Sequence, residues 1–251
     1  MSSAHRRQMS TPPPIVMSSP SHQSILVIGA SGRSGIEIIR SLLRHPSKPL
    51  VHAFCRDPKK MSLLANGIEN YTTFQSVIKG NARDPKDLII ALSQTHPNVV
   101  IVSIGNGDNV SKTDIRTASA MALVQVLTSH PEFSEVKVVV VSSTGAGAST
   151  IKVGMGFGKL IEFYLRHILK DHNGQESAFL CLKDRAIIVR ATALTDNKPT
   201  GKTEIFDDTA RNPSIHIDRS DLAAWIVKQV CDEPPASTMW GRTVNITGLK
   251  K

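Results

Sequence analysis

Short apolar runs and longer amphipathic segments alternate along the chain from Ser24 onward. The runs are rich in β-branched residues and do not alternate with polar ones, which is typical of strands buried on both faces of a parallel sheet. We therefore predict strands at residues 25–28, 50–55, 73–79, 99–104, 136–142, 185–190 and 244–247.

The segments between these strands have the spacing of helices. Asp84 followed by Pro85 combines a capping side chain with a first-turn proline, which is a strong signal for a helix start. We predict helices at residues 34–44, 58–64, 85–93, 113–129 and 158–170. The βαβαβ order predicts an α/β fold with a single doubly wound parallel sheet of the Rossmann type and helices on both faces.

The turn after the first predicted strand has spaced glycines, in the segment GASGRSG of residues 29–35. In a strand-to-helix turn, Gly29 permits a sharp bend, Gly32 lets a pyrophosphate approach the backbone, and Gly35 lets the helix pack on the strand. The helix start offers its amide groups and its positive dipole to phosphates. The segment therefore predicts a dinucleotide-binding loop.

The end of the second predicted strand distinguishes between NAD and NADP. A site specific for NAD places a carboxylate there to bind the ribose hydroxyls, whereas this strand ends in Cys55 followed by Arg56. The arginine would meet a 2′-phosphate with charge-assisted hydrogen bonds, and Arg33 and Lys60 would add positive charge. Asp57 fits better as the cap of the following helix. We expect NADP(H), with NAD(H) as the less favoured cofactor.

Two regions follow from these patterns. Residues 1–23 contain four prolines and no acidic residue, which predicts a disordered N-terminal tail. Residues 24–251 are predicted to form one NAD(P)-binding Rossmann domain, whose small C-terminal segment lies on the substrate side.

Four segments together resemble the atypical short-chain dehydrogenases, and most of all the NmrA-like and the flavin reductase or biliverdin-IXβ reductase-like proteins. These segments are GASGRSG, CRDPKK, VVVVSSTG and IIVRATALTD, and the resemblance covers nearly all of residues 24–248. It implies contacts to the pyrophosphate, the 2′-phosphate, the adenine and the nicotinamide ribose. The implied contact to the 2′-phosphate is Arg56, the contact to the adenine is Asn81, and the contacts to the nicotinamide ribose are Gly105 and Asn106. Ser142 is implied as a further cofactor contact. The implied contacts to the pyrophosphate are Gly29, Ser31, Gly32, Arg33, Ser34 and Gly35.

The resemblance also points to a catalytic hydroxyl at the end of the fifth strand. Ser143 matches the serine that donates a hydrogen bond to a substrate carbonyl as hydride arrives from the nicotinamide. The usual Tyr-x-x-x-Lys partner is missing, because the residue four beyond Tyr164 is Ile168. Ala193 stands where the biliverdin reductase-like members have a histidine. The remaining candidates for a proton donor are Tyr164 and His167, which would share a helix face, and His172 and Glu176 further along the chain.

Composition and charge narrow the range of partners. Lysine and arginine outnumber the acidic residues by 30 to 21, yet no basic run occurs and aromatic residues are only 4%, so nucleic acid binding is not expected. The three cysteines are far apart, which indicates neither a disulfide framework nor a metal site. No apolar run reaches the roughly 18 residues of a membrane helix. We expect a cytoplasmic monomer or homodimer with a small-molecule substrate and no membrane partner.

Three functions are compatible with these features. The first is an NADPH-dependent oxidoreductase that transfers hydride to a small hydrophobic acceptor, such as a flavin, a quinone or a ketone intermediate. The second is a non-catalytic regulatory protein of the NmrA type that senses NADP, which the missing tyrosine–lysine pair favours. The third is a redox-neutral isomerase or cyclase on the same fold. The retained Ser143 and the predicted cofactor crevice favour the oxidoreductase.

Overall fold

The computed structural model describes residues 22–64, 72–107, 109–153, 157–211, 213–232 and 239–249. The predicted tail at residues 1–23 lies outside this part of the chain, apart from its last two residues. Each strand predicted from the sequence is present, with ends that shift by a few residues at most. No helix in the described ranges is long and apolar enough to cross a membrane.

Strands and helices alternate through the first two thirds of the described chain. The strands are β1 (Ser24–Ile28), β2 (Leu50–Cys55), β3 (Phe74–Lys79), β4 (Val99–Val102), β5 (Lys137–Ser143), β6 (Ala186–Ala191), β7 (Ala193–Thr195), β8 (Thr203–Phe206), β9 (His216–Asp218) and β10 (Thr243–Gly248). The α-helices are α1 (Arg33–Arg44), α2 (Pro58–Leu64), α3 (Pro85–Thr95), α4 (Ile115–Ser129), α5 (Phe157–Tyr164), α6 (Arg166–Phe179) and α7 (Arg219–Cys231). Short 3₁₀ helices at Pro131–Phe133 and Leu180–Arg185 precede β5 and β6.

The main sheet has eight strands in the order β3-β2-β1-β4-β5-β6-β10-β8. The pairings from β3 through to β10 are parallel, and the strand order reverses direction between β1 and β4, as in other doubly wound folds. The predicted α/β fold is therefore confirmed. The sheet is not parallel throughout, because β8 pairs antiparallel with β10, and β7 and β9 form a separate small sheet. These strands have only three or four residues and no continuous apolar run, so the hydrophobic pattern did not reveal them.

Different helices cover the two faces of the sheet. In β5, Val139 and Val141 face the cluster that includes α1 and α7, whereas Val138 and Val140 face the cluster that includes α3 and α4. Successive side chains of a strand point to opposite faces, so a strand that is covered on both sides needs apolar residues at every position. The carboxyl ends of the parallel strands meet at one edge of the sheet, and the loops at that edge carry the candidate site.

Helix starts largely follow the sequence signals. The carboxylate of Asp84 accepts the amide of Lys86 at 2.9 Å, and Pro85 occupies the first turn of α3. This confirms the predicted cap. A cap of this kind stabilises a helix by about 1 kcal/mol.

The single helix predicted at residues 158–170 is wrong. The helix α5 ends at Tyr164, and α6 starts two residues later. The two helices rest on different supports, because α6 packs on α4 whereas α5 is held by the backbone of Ile151. Tyr164 and His167 consequently belong to different helices.

Candidate functional site

A cavity of about 520 Å³ opens at the carboxyl ends of β1, β2 and β4. Ligands of doubly wound folds bind in the crevice at this edge, next to the point where the strand order reverses. The cavity wall brings together side chains and backbone from five segments that are far apart along the chain. It includes eight of the predicted cofactor-binding residues, which are Gly29, Ser31, Gly32, Arg33, Arg56, Asn81, Gly105 and Asn106.

The phosphate loop passes so close to its neighbours that two positions have room only for glycine. Gly29 has a φ of +86°, and a Cβ atom there would overlap the backbone oxygen of Ser103. A Cβ atom on Gly35 would overlap the carbonyl oxygen of Gly29. The first contact sets the spacing between β1 and the loop after β4, and the second sets the spacing between β1 and α1. Gly35 therefore supports the loop from behind and does not line the cavity.

The helix α1 begins at a glycine. Gly32 is the N-cap residue and makes no side-chain cap hydrogen bond, and no acidic residue lies in the first turn. The first amide groups of a helix have no partner within the helix, and the helix dipole adds positive potential at the same end. Ser34 is half-buried in this turn. The arrangement is a suitable site for a phosphate group.

Three cations and no carboxylate line the described part of the cavity wall. The cations are Arg33, Arg56 and Lys60. The nearby carboxylate of Asp57 is held elsewhere, since it accepts the amides of Lys59 and Lys60 at 3.0 and 3.3 Å. This confirms Asp57 as the cap of α2. The cavity wall therefore carries positively charged side chains at the end of β2, where a bound anionic group would meet them.

Sequence reasoning missed Asp196, which connects the phosphate loop to the start of α7. One carboxylate oxygen of Asp196 lies 3.2 Å from Nη1 of Arg33, and the other lies 2.6 Å from Nη1 of Arg219. Arg33 and Asp196 are 163 residues apart in sequence, so no local spacing could have shown the contact. Asp196 orients an arginine of the cavity wall.

The loop after β3 is held in place by hydrogen bonds of its own. The amide of Asn81 donates to the carboxylate of Asp87 at 2.8 Å, and the side-chain oxygen of Asn81 accepts the amide of Arg83 at 3.1 Å. Asn81 thus lines the cavity from a turn that its own side chain stabilises. On the opposite wall, the loop after β4 carries Gly105 and Asn106.

The two serines at the end of β5 face different environments. Ser142 is 3% exposed, and its hydroxyl donates to Oε1 of Glu176 at 2.5 Å. Ser143 is half-buried, and its hydroxyl donates to the carbonyl oxygen of Thr144 at 3.1 Å. Neither serine is among the described residues that line the cavity. The predicted roles of Ser142 in cofactor binding and of Ser143 in catalysis both stay predictions.

A buried ion pair lies directly behind Ser142. Arg190 and Glu176 are joined by hydrogen bonds of 3.0, 3.2 and 2.7 Å, and Asp208 accepts a further one from Arg190 at 2.8 Å. Burial by itself would lower the pKa of Arg190, but the hydrogen bonds and charges of Glu176 and Asp208 raise it above the ordinary value. Arg190 is therefore charged, and Glu176 accepts both its hydrogen bonds and the one that Ser142 donates.

A second buried pair, Arg116 with Asp171, lies between this network and the loop of Gly105. The carboxylate of Asp171 accepts Nη1 and the amide of Arg116, at 3.3 and 3.1 Å. Burial lowers the pKa of neighbouring His172 to about 3, and the charge of Arg116 acts in the same direction. His172 is therefore neutral at physiological pH. These buried polar side chains join the end of β5 to α6 and join α6 to α4.

Tyr164 lies away from the cavity wall. Its side chain is 63% exposed on α5, and it is not among the described residues that line the cavity. No group of three or more histidine, cysteine or acidic side chains that could hold a metal ion occurs in the described part of the chain. The proton-donor role of Tyr164 stays a prediction without support from the geometry.

Comparison with known proteins places the chain among proteins that bind a nicotinamide cofactor. The family model described as NAD(P)H-binding matches residues 29–233, and a search of curated proteins finds no match. The chain is similar to a short-chain dehydrogenase/reductase from Veillonella parvula in complex with NADP, at 15% identity over 90% of this chain and 95% of that one, with a TM-score of 0.71.

Two further solved structures have the same fold. One is ChuY from Escherichia coli O157:H7, described as an anaerobillin reductase, at 18% identity over 90% of this chain and 98% of that one, with a TM-score of 0.66. The other is the oxidoreductase YlbE from Lactococcus lactis, at 18% identity over 90% and 91% of the two chains, with a TM-score of 0.64. The resemblance to short-chain dehydrogenases is thereby confirmed at the level of the fold.

Proposed function

The chain belongs to the NAD(P)H-binding family, and we propose that it is an NADPH-dependent oxidoreductase that reduces a small hydrophobic acceptor. The observation that carries this proposal is the cavity at the carboxyl ends of β1, β2 and β4, whose wall contains the N-terminus of α1 and the cations Arg33, Arg56 and Lys60.

The residues present fit NADP better than NAD. A Cβ atom on Gly32 would lie 3.2 Å from the carbonyl oxygen of Gly29, which is a tight contact, so the position favours a residue without a side chain where a pyrophosphate would approach the helix. At the end of β2, Arg56 and Lys60 stand where an NAD site needs a carboxylate, and Asp57 is already engaged as a cap. Forked hydrogen bonds from an arginine to a phosphate are strong and directional.

The bound nicotinamide would supply the hydride, and residues of the chain would bind and orient the two reactants. In this proposal Gly105 and Asn106 lie along the nicotinamide ribose, and Asn81 lies beside the adenine. In the structure the Ser143 hydroxyl donates a hydrogen bond to the carbonyl oxygen of Thr144. In this proposal it turns toward a substrate carbonyl and polarises it. The proton that completes the reduction comes from solvent or from the substrate itself.

The first test is a titration of the purified protein with NADPH and with NADH, followed by absorbance at 340 nm with flavins, quinones and ketones as acceptors. Tight NADPH binding with oxidation that depends on an acceptor is the expected result. Failure to bind either cofactor would refute the proposal as a whole.

The cofactor preference is tested by Arg56→Ala. Loss of a charge-assisted hydrogen bond should weaken NADPH binding by roughly 1–3 kcal/mol, or about 5- to 150-fold, and leave NADH binding nearly unchanged. Lys59→Ala is a matched control, because Lys59 is an exposed cation of the same segment and does not line the cavity. An equal loss for both cofactors in Arg56→Ala would contradict the assignment of the 2′-phosphate.

A regulatory NADP-binding protein is the second candidate, and the chemistry of the cavity wall favours it. Apart from the three cations, Cys55 is the one described lining residue with a titratable side chain, and burial raises the pKa of its thiol. A wall of this kind holds a cofactor but offers no ready proton donor. Tight NADPH binding without oxidation by any acceptor would favour this function over the reductase.

A further inference from the structure

The helix α5 presents its small and polar side to the protein and its apolar side to solvent. Gly158 is buried against the carbonyl oxygen of Ile151, where a Cβ atom would not fit. Four residues later, the carboxylate of Glu162 accepts the amide of Ile151 at 2.7 Å. A surface helix ordinarily buries its apolar face and exposes its polar one. In α5 this arrangement is reversed.

The outward face of α5 is a continuous apolar surface. Phe157, Leu160, Ile161 and Tyr164 follow the i, i+3, i+4, i+7 spacing of one helix face, and Phe163 lies beside them. The exposed fraction is 59% for Phe157, 64% for Leu160, 37% for Ile161, 65% for Phe163 and 63% for Tyr164. Exposed contiguous apolar surface of this kind marks a site of interaction. We call these five residues the α5 face.

Cations border the α5 face. Lys159 of α5 and Arg166 at the start of α6 are exposed, and the guanidinium of Arg166 lies 4.6 Å from the ring centre of Phe163. Glu162, the acidic residue of α5, points inward to Ile151. The border of the face is therefore positively charged, as is the whole chain at +9.

The charge of this border decides between possible partners. A second copy of the chain, docked face to face, would bring like charges together around the contact. An anionic bilayer instead accepts aromatic and aliphatic side chains at its interface, and attracts lysine and arginine beside them. We propose that the α5 face docks on the surface of an anionic lipid membrane. No apolar run of the sequence is long enough to span a membrane, so no membrane partner was predicted, but docking on a membrane surface needs no such run.

Ile151, which anchors α5, also packs against Gly145, just beyond the end of β5. Because Ile151 contacts the side of α5 opposite the apolar face, docking through α5 would place the helix between the lipid surface and the loop after Ser143. The inference rests on the exposed face and its charge, and it does not depend on the proposed reductase activity.

The test is co-sedimentation of the full chain with phosphatidylcholine vesicles that contain or lack phosphatidylserine. We expect binding to the vesicles with phosphatidylserine, and weaker binding when salt is added. Leu160→Ser should lower the partition constant roughly tenfold, and Lys159→Glu should lower it roughly fivefold or more. Ile90→Ser is the matched control, because Ile90 is an exposed apolar residue of α3, and it should bind as the unchanged protein does.

Three outcomes would overturn the proposal. The first is that the unchanged protein fails to bind vesicles with phosphatidylserine at low salt. The second is that Leu160→Ser binds as well as Ile90→Ser. The third is that light scattering finds a dimer that Leu160→Ser dissociates, since the face would then be covered by a second copy. Far-UV circular dichroism of each variant verifies that it is folded.

Discussion

Replacing one partner of the buried ion pair between Glu176 and Arg190 should be among the most destabilising single changes in this fold. The two side chains are 6% and 7% exposed, and they share three hydrogen bonds. Glu176→Gln keeps the volume of the side chain but removes its charge. Removing one partner of a buried ion pair costs about 3–5 kcal/mol, because the remaining charge stays buried without compensation. Arg190 keeps Asp208 at 2.8 Å, so we expect a loss near 3 kcal/mol.

Thermal unfolding followed by circular dichroism at pH 7 measures this loss. For a chain of this size, 1 kcal/mol lowers Tm by about 2–4 °C, so Glu176→Gln should lower Tm by about 6–12 °C. The control is Arg83→Gln, which removes the surface ion pair with Asp114, whose side chains are 46% and 69% exposed. That pair should contribute about 0–1 kcal/mol. If both variants lose the same small amount, the reasoning from burial is refuted.

Three other predictions follow from the site and its surroundings. Gly29→Ala should destabilise the protein more than Gly107→Ala, because both residues have a positive φ but only the first Cβ would meet backbone, and urea unfolding of the two variants measures the difference. Ser143→Ala should lower turnover of NADPH and leave its affinity nearly unchanged; unchanged turnover would remove Ser143 from the mechanism. The third concerns His172, whose folded-state pKa of about 3 lies below its ordinary 6.5. Between these values the unfolded chain binds the proton and the folded chain does not, so stability should fall by about 2 kcal/mol from pH 6.5 to 5. His172→Gln should flatten that dependence in urea titrations, and an unchanged slope would show that His172 is not its source.

The sequence by itself determined the elements whose physical requirements are local. A strand covered on both faces must be apolar at every position, so β4 and β5 could be recognised from their composition. The caps at Asp57 and Asp84 depend on amides two or three residues away, and both were predicted. The glycine spacing of residues 29–35 likewise reports a turn whose geometry is set within a few residues.

Only the tertiary structure decided the features that depend on distant partners. The contact of Arg33 with Asp196 and the buried pair of Glu176 with Arg190 join segments that no spacing relates. The break between α5 and α6 arises because each helix packs on a different support, which helical periodicity cannot show. The same holds for the α5 face, since an apolar stripe on a helix ordinarily predicts core. Its exposure depends on Ile151, whose backbone binds the opposite side of the helix.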